Sequence, residues 1–336
     1  MKHTCILFLL GILISCGNDP ETQKQRFLIR GNEALQEQNY RDATRFYEEA
    51  LKIDPCYTPA INNLGTVYFR QNQYVQASLQ YDKALECDPE NMDAVLNRAN
   101  TFYELNDLYR ALDDLEFAQR KMPDTSTVYF RLGLVHTKMR KFNNAIDDFN
   151  KALVLDPDNA ETLINRGTVK YYLKKYDEAE ADLKTALQID PLEANAYNAL
   201  SLIAIERNEF VEALELVNKA LGLEPGQPYF LNNRGFIHLE MNELDKAKED
   251  INRSVTIDPE NAWAYRNKGW YYFKKGNNDD AIKLLQRAAK LDPFVDKAYY
   301  FLGRVYEQMN DTYNACENYK IARERQEKVI TALDCI

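Results

Sequence analysis

Prolines recur at positions 55, 89, 123, 157, 191, 225, 259 and 293, one every 34 residues. Alanines keep the same interval at 43, 77, 111, 145, 179, 213, 247, 281 and 315. A column of small residues runs Gly31, Gly65, Ala99, Gly133, Gly167, Ser201, Gly235, Gly269 and Gly303. Columns held in register over nine periods, with no insertion, confine the chain to a stack of one repeated unit. In such a stack each unit buries its apolar face against its neighbours, so at least three units are needed and the last must be capped.

Within one period, apolar residues fall three to four apart in two stretches, such as Leu163, Val169 and Leu173, then Ala179, Leu183 and Ala186. That spacing predicts two amphipathic helices per repeat. Small residues at positions 8 and 20 let the paired helices approach closely. Position 15 holds Asn72, Asn106, Asn208, Asn242, Gly276 and Asn310, types that tolerate the left-handed conformation ending a helix. The Pro at position 32 lacks an N–H and disfavours helix in the residue before it, so it stops the second helix.

A 34-residue unit with Gly at position 8, Ala at 20 and Pro at 32 resembles the tetratricopeptide repeat family. Position 4, often Trp in that family, is filled by Phe27, Ile61, Val95, Tyr129, Leu163, Tyr197, Leu231, Tyr265 and Tyr299. The resemblance implies an all-α fold, an α–α superhelix of nine helix–turn–helix repeats over residues 24–329. Ser254 replaces one repeat Ala and Lys170 stands at an expected aromatic position. Repeat nine carries Glu327 where Pro is expected. Helix-forming residues then continue to Ile336, which predicts a C-terminal capping helix ending within 330–336.

Ahead of the repeats, Lys2 precedes an apolar run from Cys5 to Ile14, followed by Ser15 and Cys16. A charged start, an apolar core and a small residue before the cut form a secretory signal, here residues 1–15. The Leu13-Ile14-Ser15-Cys16 ending resembles a bacterial lipobox. That implies cleavage before Cys16, acylation of its thiol and a membrane anchor on a soluble body. By the sorting rule of that class, Gly17 in place of Asp points to the outer membrane. Asp19 and Glu21 leave periplasmic and outward-facing placement both open. The tether, residues 16–23, spans at most about 25 Å when extended.

The chain is acidic, with 52 Asp plus Glu against 42 Lys plus Arg. It lacks the basic face that phosphate recognition needs, so no nucleic-acid partner is expected. There is no Gly-rich phosphate loop, nucleophile elbow or zinc spacing, so neither catalysis, cofactor nor metal is expected. His136 and His238 share position 11 with Tyr68, Phe102, Tyr272 and Tyr306, which reads as ring-sized packing. Cys56 can pair with Cys87 and Cys316 with Cys335 if their Cα atoms lie within about 7 Å; buried free thiols are the alternative.

The resemblance also implies that the first helix of each repeat lines a concave groove through positions 2, 5, 6, 9, 12 and 13. Position 6 holds Asn63, Asn97, Asn165, Asn233 and Asn267, whose side chains can pair with the amides of an extended peptide. This row resembles the asparagine ladder of the O-linked sugar transferases. Toward the C-terminus the same positions gather Tyr229, Phe236, Trp263, Trp270, Phe273, Tyr300 and Phe301 with Arg266, Lys274, Lys297 and Arg304. Rings interleaved with cations suit an acidic partner surface, whereas the competing reading packs the rings under the chain end. The expected function is a lipid-anchored scaffold for peptide or protein partners at the envelope. The alternative is a glycan- or small-ligand-binding lipoprotein that uses the same aromatics.

Overall fold

A computed structural model of the protein describes residues 19–335. The signal segment, Cys16 and Gly17 lie outside the described residues. The first pair is α1 (Pro20–Gln36) with α2 (Tyr40–Ile53), followed by α3 (Thr58–Arg70) with α4 (Tyr74–Cys87). Next come α5 (Met92–Glu104) with α6 (Leu108–Lys121) and α7 (Ser126–Lys138) with α8 (Phe142–Leu155). The series continues with α9 (Ala160–Tyr172), α10 (Tyr176–Ile189), α11 (Ala194–Glu206), α12 (Phe210–Leu223), α13 (Pro228–Glu240) and α14 (Leu244–Ile257). It ends with α15 (Ala262–Lys274), α16 (Asn278–Leu291), α17 (Ala298–Gln308) and α18 (Thr312–Glu324). The fold is all-α, with no strand among the described residues. It divides into two compact units, one up to Pro157 and one from Asp158.

The tight turn inside each repeat depends on position 15. Gln38, Asn72, Asn106, Arg140, Lys174, Asn208, Asn242, Gly276 and Asn310 all adopt φ between 58° and 78°. The side chain there is not always Gly or Asn, so the turn is imposed by the two helices it joins. Between repeats, the aspartate before proline contributes as well. The carboxylates of Asp54, Asp88, Asp190, Asp258 and Asp292 each accept the N–H two residues on, at 2.8–3.2 Å. The Asx turn thus bridges over the proline, which has no N–H of its own.

Helix pairing follows a size rule. A Cβ built on Gly31 would lie 2.4 Å from the Tyr47 ring, and one on Gly303 would lie 2.4 Å from Tyr319. Where position 8 is Ala99 or Ser201, position 24 carries the smaller Leu115 or Val217. Repeats three, five and seven add a buried ion pair absent from the sequence reading. Arg98 grips Asp114, Arg166 grips Asp182, and Arg234 grips Asp250, each through two guanidinium nitrogens at 2.6–2.9 Å. Lys170, the odd residue at an aromatic position, joins Asp182 at 2.8 Å.

Both cysteine pairings are formed. Cys56 and Cys87 have Cα atoms 5.6 Å apart, and Cys316 and Cys335 are 5.2 Å apart. The second bridge corrects the expected capping helix. On one straight helix, 19 residues would separate those Cα atoms by about 28 Å. Instead α18 stops at Glu324, Gln326 takes φ 60°, and Glu327 N–H bonds Ala322 O at 3.0 Å. The chain then doubles back without helix as far as Cys335. The tether also differs from expectation at its end. Helix α1 starts at Pro20, four residues before Lys24, capped by the Asp19 carboxylate on Thr22 N–H at 3.3 Å.

Candidate functional site

The position-6 asparagines do more than face a groove. Asn97 Nδ2 donates to Asn62 Oδ1 at 3.0 Å, Asn233 to Asn198 at 2.8 Å and Asn267 to Asn232 at 2.8 Å. Asn63 donates to Asn32 at 2.8 Å, while Asn165 bonds Glu161 O in its own helix at 2.9 Å. Arg131, which interrupts the row, donates to Leu96 O at 2.8 Å. The amide nitrogens of Asn63, Asn97, Asn233 and Asn267 therefore stitch one repeat to the previous one, and pairing with a guest backbone there would fall to the carbonyl side. Asn267 is fully buried, so it lies beneath the groove surface. Sequence reasoning missed this role because the acceptors stand in the preceding repeat, 35 residues away for Asn97, Asn233 and Asn267 and 31 for Asn63.

The C-terminal aromatic and basic residues do assemble, but against each other. Trp270 stacks on Phe301 with centroids 4.1 Å apart and on Phe273 at 4.8 Å. Its indole N–H donates to Glu240 at 2.9 Å, and only 8% of the residue is exposed. Phe236, Trp270 and Phe301 belong to the hydrophobic cluster that also holds Leu231 and Leu285. Internal packing thus corrects the reading of these three rings as an open surface. With Phe301 and Phe273 stacked on it, Trp270 is not an open ring of the platform behind the glycan alternative.

The cations are internally paired. Arg266, 6% exposed, meets Asp296 at 2.5 Å. Lys297 meets Glu206 at 2.9 Å, and Lys274 lies 3.8 Å from Glu240 and 5.6 Å from the Trp270 centroid. Arg304 donates to Tyr300 Oη at 3.2 Å. Pairing removes the net positive field that the sequence suggested for an acidic partner. Tyr229 remains 46% exposed, and burial with the Asp258 carboxylate beside it raises its phenol pKa. Burial beside Asp296 and Glu206 holds the Tyr171 phenol well above its ordinary value. The two histidines each use Nδ1, His136 to Asp148 and His238 to Glu243, both at 2.6 Å. Among the described residues, no group of three or more His, Cys, Asp or Glu is placed to hold a metal ion.

The groove positions of repeats one to four look different. Ile29 is 55% exposed, and Gln25, Asn32, Gln36 and Arg70 are exposed too. Half-buried Leu28, Phe69, Leu96 and Phe130 supply apolar surface beside them.

Comparison with known proteins matches this architecture. Family models described as tetratricopeptide repeat match residues 34–97, 126–159, 164–228, 228–261 and 251–283, and one described as TPR repeat matches 269–310. No curated protein sequence matches the chain. Among solved structures, a chain of the APC/C hetero-tetramer Cut9–Hcn1 is similar, with TM-score 0.58 and 16% identity over 93% of this chain and 75% of that one. Yeast Tom70 gives TM-score 0.45 and 20% identity over 93% of this chain and 78% of its own. A tetratricopeptide repeat protein from Parabacteroides merdae gives 0.44 and 17% over 91% of this chain and 100% of its own. At these identities the Cut9–Hcn1 likeness speaks for the fold alone.

Proposed function

The chain belongs to the tetratricopeptide-repeat proteins, and on that premise we propose that it is a non-enzymatic scaffold at the bacterial envelope. A lipid on Cys16 carries it, and extended peptide or protein segments lie along the first helices of repeats one to four. The observation that supports this reading most is the contrast within the chain. Helices α1, α3, α5 and α7 keep groove positions such as Ile29, Asn32 and Arg70 open to solvent. The corresponding positions of α13, α15 and α17 are filled by Phe236, Trp270 and Phe301. An open row of half-buried apolar side chains flanked by amides and a cation suits an extended backbone. Export is supported by the lipobox-like ending at Cys16 and by two disulfides, which an oxidising compartment preserves.

In-cell photo-crosslinking tests the reading. A photoreactive residue replaces Ile29, and a control replaces exposed Glu116 on α6. Protein adducts specific to the Ile29 site support the scaffold and name its partner by mass spectrometry. Adducts no different from the Glu116 control overturn it. The anchor has its own test: Cys16→Ala should move the protein out of the membrane fraction, and retention there would sink the lipid assignment.

A further inference from the structure

In the seven preceding junctions the first helix of a repeat starts at position 1, at Thr58, Met92, Ser126, Ala160, Ala194, Pro228 and Ala262. Helix α17 starts two residues late, at Ala298. The displaced residues are Asp296 and Lys297, and Lys297 takes φ 58°. Among the described residues, Lys297 and Gln326 are the left-handed residues that lie off the position-15 column. That conformation is unfavourable for a side-chain-bearing residue, so the surrounding contacts must hold it.

Those contacts are made by groove positions of three successive first helices. From α15, Trp263 Nε1 donates to Asp296 Oδ1 at 3.1 Å and Arg266 Nη1 donates to the same oxygen at 2.5 Å. Arg266 also reaches Asp296 O at 3.2 Å. From α11, Glu206 takes the Lys297 ammonium at 2.9 Å, 91 residues away in sequence. From α13, the Phe236 ring lies 5.6 Å beneath that ammonium. Trp263, Arg266, Phe236 and Glu206 occupy positions 2, 5, 9 and 13 of their repeats. The C-terminal tail completes the clasp. Glu327 accepts Lys297 N–H at 2.9 Å, and Lys174 donates to Gln326 O at 2.8 Å.

We propose that Asp296-Lys297 is an internal occupant of a peptide subsite built by Trp263, Arg266, Phe236 and Glu206, and that this subsite takes an acidic residue followed by a basic one from a partner segment. This inference rests on the scaffold reading and names the ligand class for the second unit. The indole N–H and guanidinium select a carboxylate, while Glu206 and the Phe236 face select a cation one residue later. Displacement leaves Asp296 and Lys297 free to join α17 as its first two residues, the arrangement seen at the seven other junctions. Guest entry therefore relieves the left-handed Lys297 instead of opening a packed core.

The test uses a labelled peptide copying residues 292–299 and a second peptide with its Asp296 and Lys297 equivalents exchanged. The host is the purified protein carrying Asp296→Ala and Lys297→Ala, with its fold checked by helical circular dichroism. The copy peptide should bind this variant at least about tenfold more tightly than it binds the parent protein, and more tightly than the exchanged peptide does. Adding Glu206→Lys to the variant should move the preference to a peptide with acidic residues at both places. Equal affinity for the two original peptides, or no shift with Glu206→Lys, would overturn the subsite. A folded variant that binds neither peptide overturns it as well. None of these results bears on crosslinks at Ile29, so the two readings fail separately.

Discussion

At the scale of single residues, what matters is the space a side chain meets. A Cβ on Gly303 would press into the Tyr319 ring at 2.4 Å, whereas one on Gly222, at an exposed position of α12, would meet nothing within 4 Å. Gly303→Ala should therefore cost roughly 1–3 kcal/mol through overpacking. Gly222→Ala should stabilise by about 0.5–1 kcal/mol, because it removes freedom from the unfolded chain. Urea midpoints that move the same way in both variants would refute the assignment. Charge obeys the same locality at Glu327. Burial raises its pKa above 4.5, and Asp296 raises it further; Lys297 N–H, Arg325 and Arg266 act in the other direction. A carboxyl whose folded pKa is raised favours folding fully below its unfolded value and loses that contribution as pH rises through the folded pKa. Glu327→Gln removes the titration and keeps an acceptor for Lys297 N–H. The variant should gain stability relative to the parent between acidic and neutral pH, with the gap closing near pH 4. Paired thermal melts across that range check it, and a gap that widens toward acid would contradict the sign.

Elements are joined by pairs that alternate along the stack. Asp182 holds both Arg166 and Lys170 in a nearly dry setting, with side-chain exposures of 8%, 18% and 12%. Asp182→Ala removes the carboxylate that both cations share and should cost about 3 kcal/mol or more, while Arg166→Leu, Lys170→Tyr and Asp182→Leu together should cost far less. Position 7 already alternates Arg98, Leu132, Arg166, Leu200 and Arg234, so leucine is accommodated there. A triple variant less stable than Asp182→Ala, judged by denaturant titration, would defeat the argument. The helices themselves were legible, because Pro, Ala and Gly columns fix where each starts, turns and stops. The turn at position 15 was legible where Asn or Gly stands, whereas at Gln38, Arg140 and Lys174 the residue type gives no signal and the paired helices impose the left-handed turn. The unwound start of α17 was not. Asp296 and Lys297 sit in register with helical positions elsewhere, and no local breaker marks them. Their partners Glu206 and Glu327 are 91 and 30 residues away, beyond the reach of any local signal. The fate of the groove aromatics was hidden for the same reason, and the end of α18 depended on Cys335 returning to Cys316.

At the scale of the whole molecule, stacking within each unit implies that damage stays near its origin. Within a unit each repeat contacts its neighbours, so stability approximates a sum of repeat terms and interface terms. The division into one unit ending at Pro157 and another beginning at Asp158 sharpens that expectation. Ala179 is fully buried at position 20, and its carbonyl lies only 3.2 Å from where a Cβ on Gly167 would stand. Ala179→Leu forces three extra carbons between α9 and α10, at roughly 1–3 kcal/mol. Glu178→Ala, one residue earlier on the exposed side, serves as the reference. Residue-resolved hydrogen exchange should show faster amide exchange in α9 through α12 of Ala179→Leu, with α1 through α6 unchanged. The Cys56–Cys87 bridge, which ties two consecutive repeats of the first unit, should keep those amides protected throughout. If α1 through α6 lose protection together with α9, the chain unfolds as one cooperative body. Local repeat energetics would then be the wrong description, and a guest held in one unit would be felt in the other. If protection is lost only around α9, the first unit can bind and release partners while the second stays clasped on its own Asp296 and Lys297.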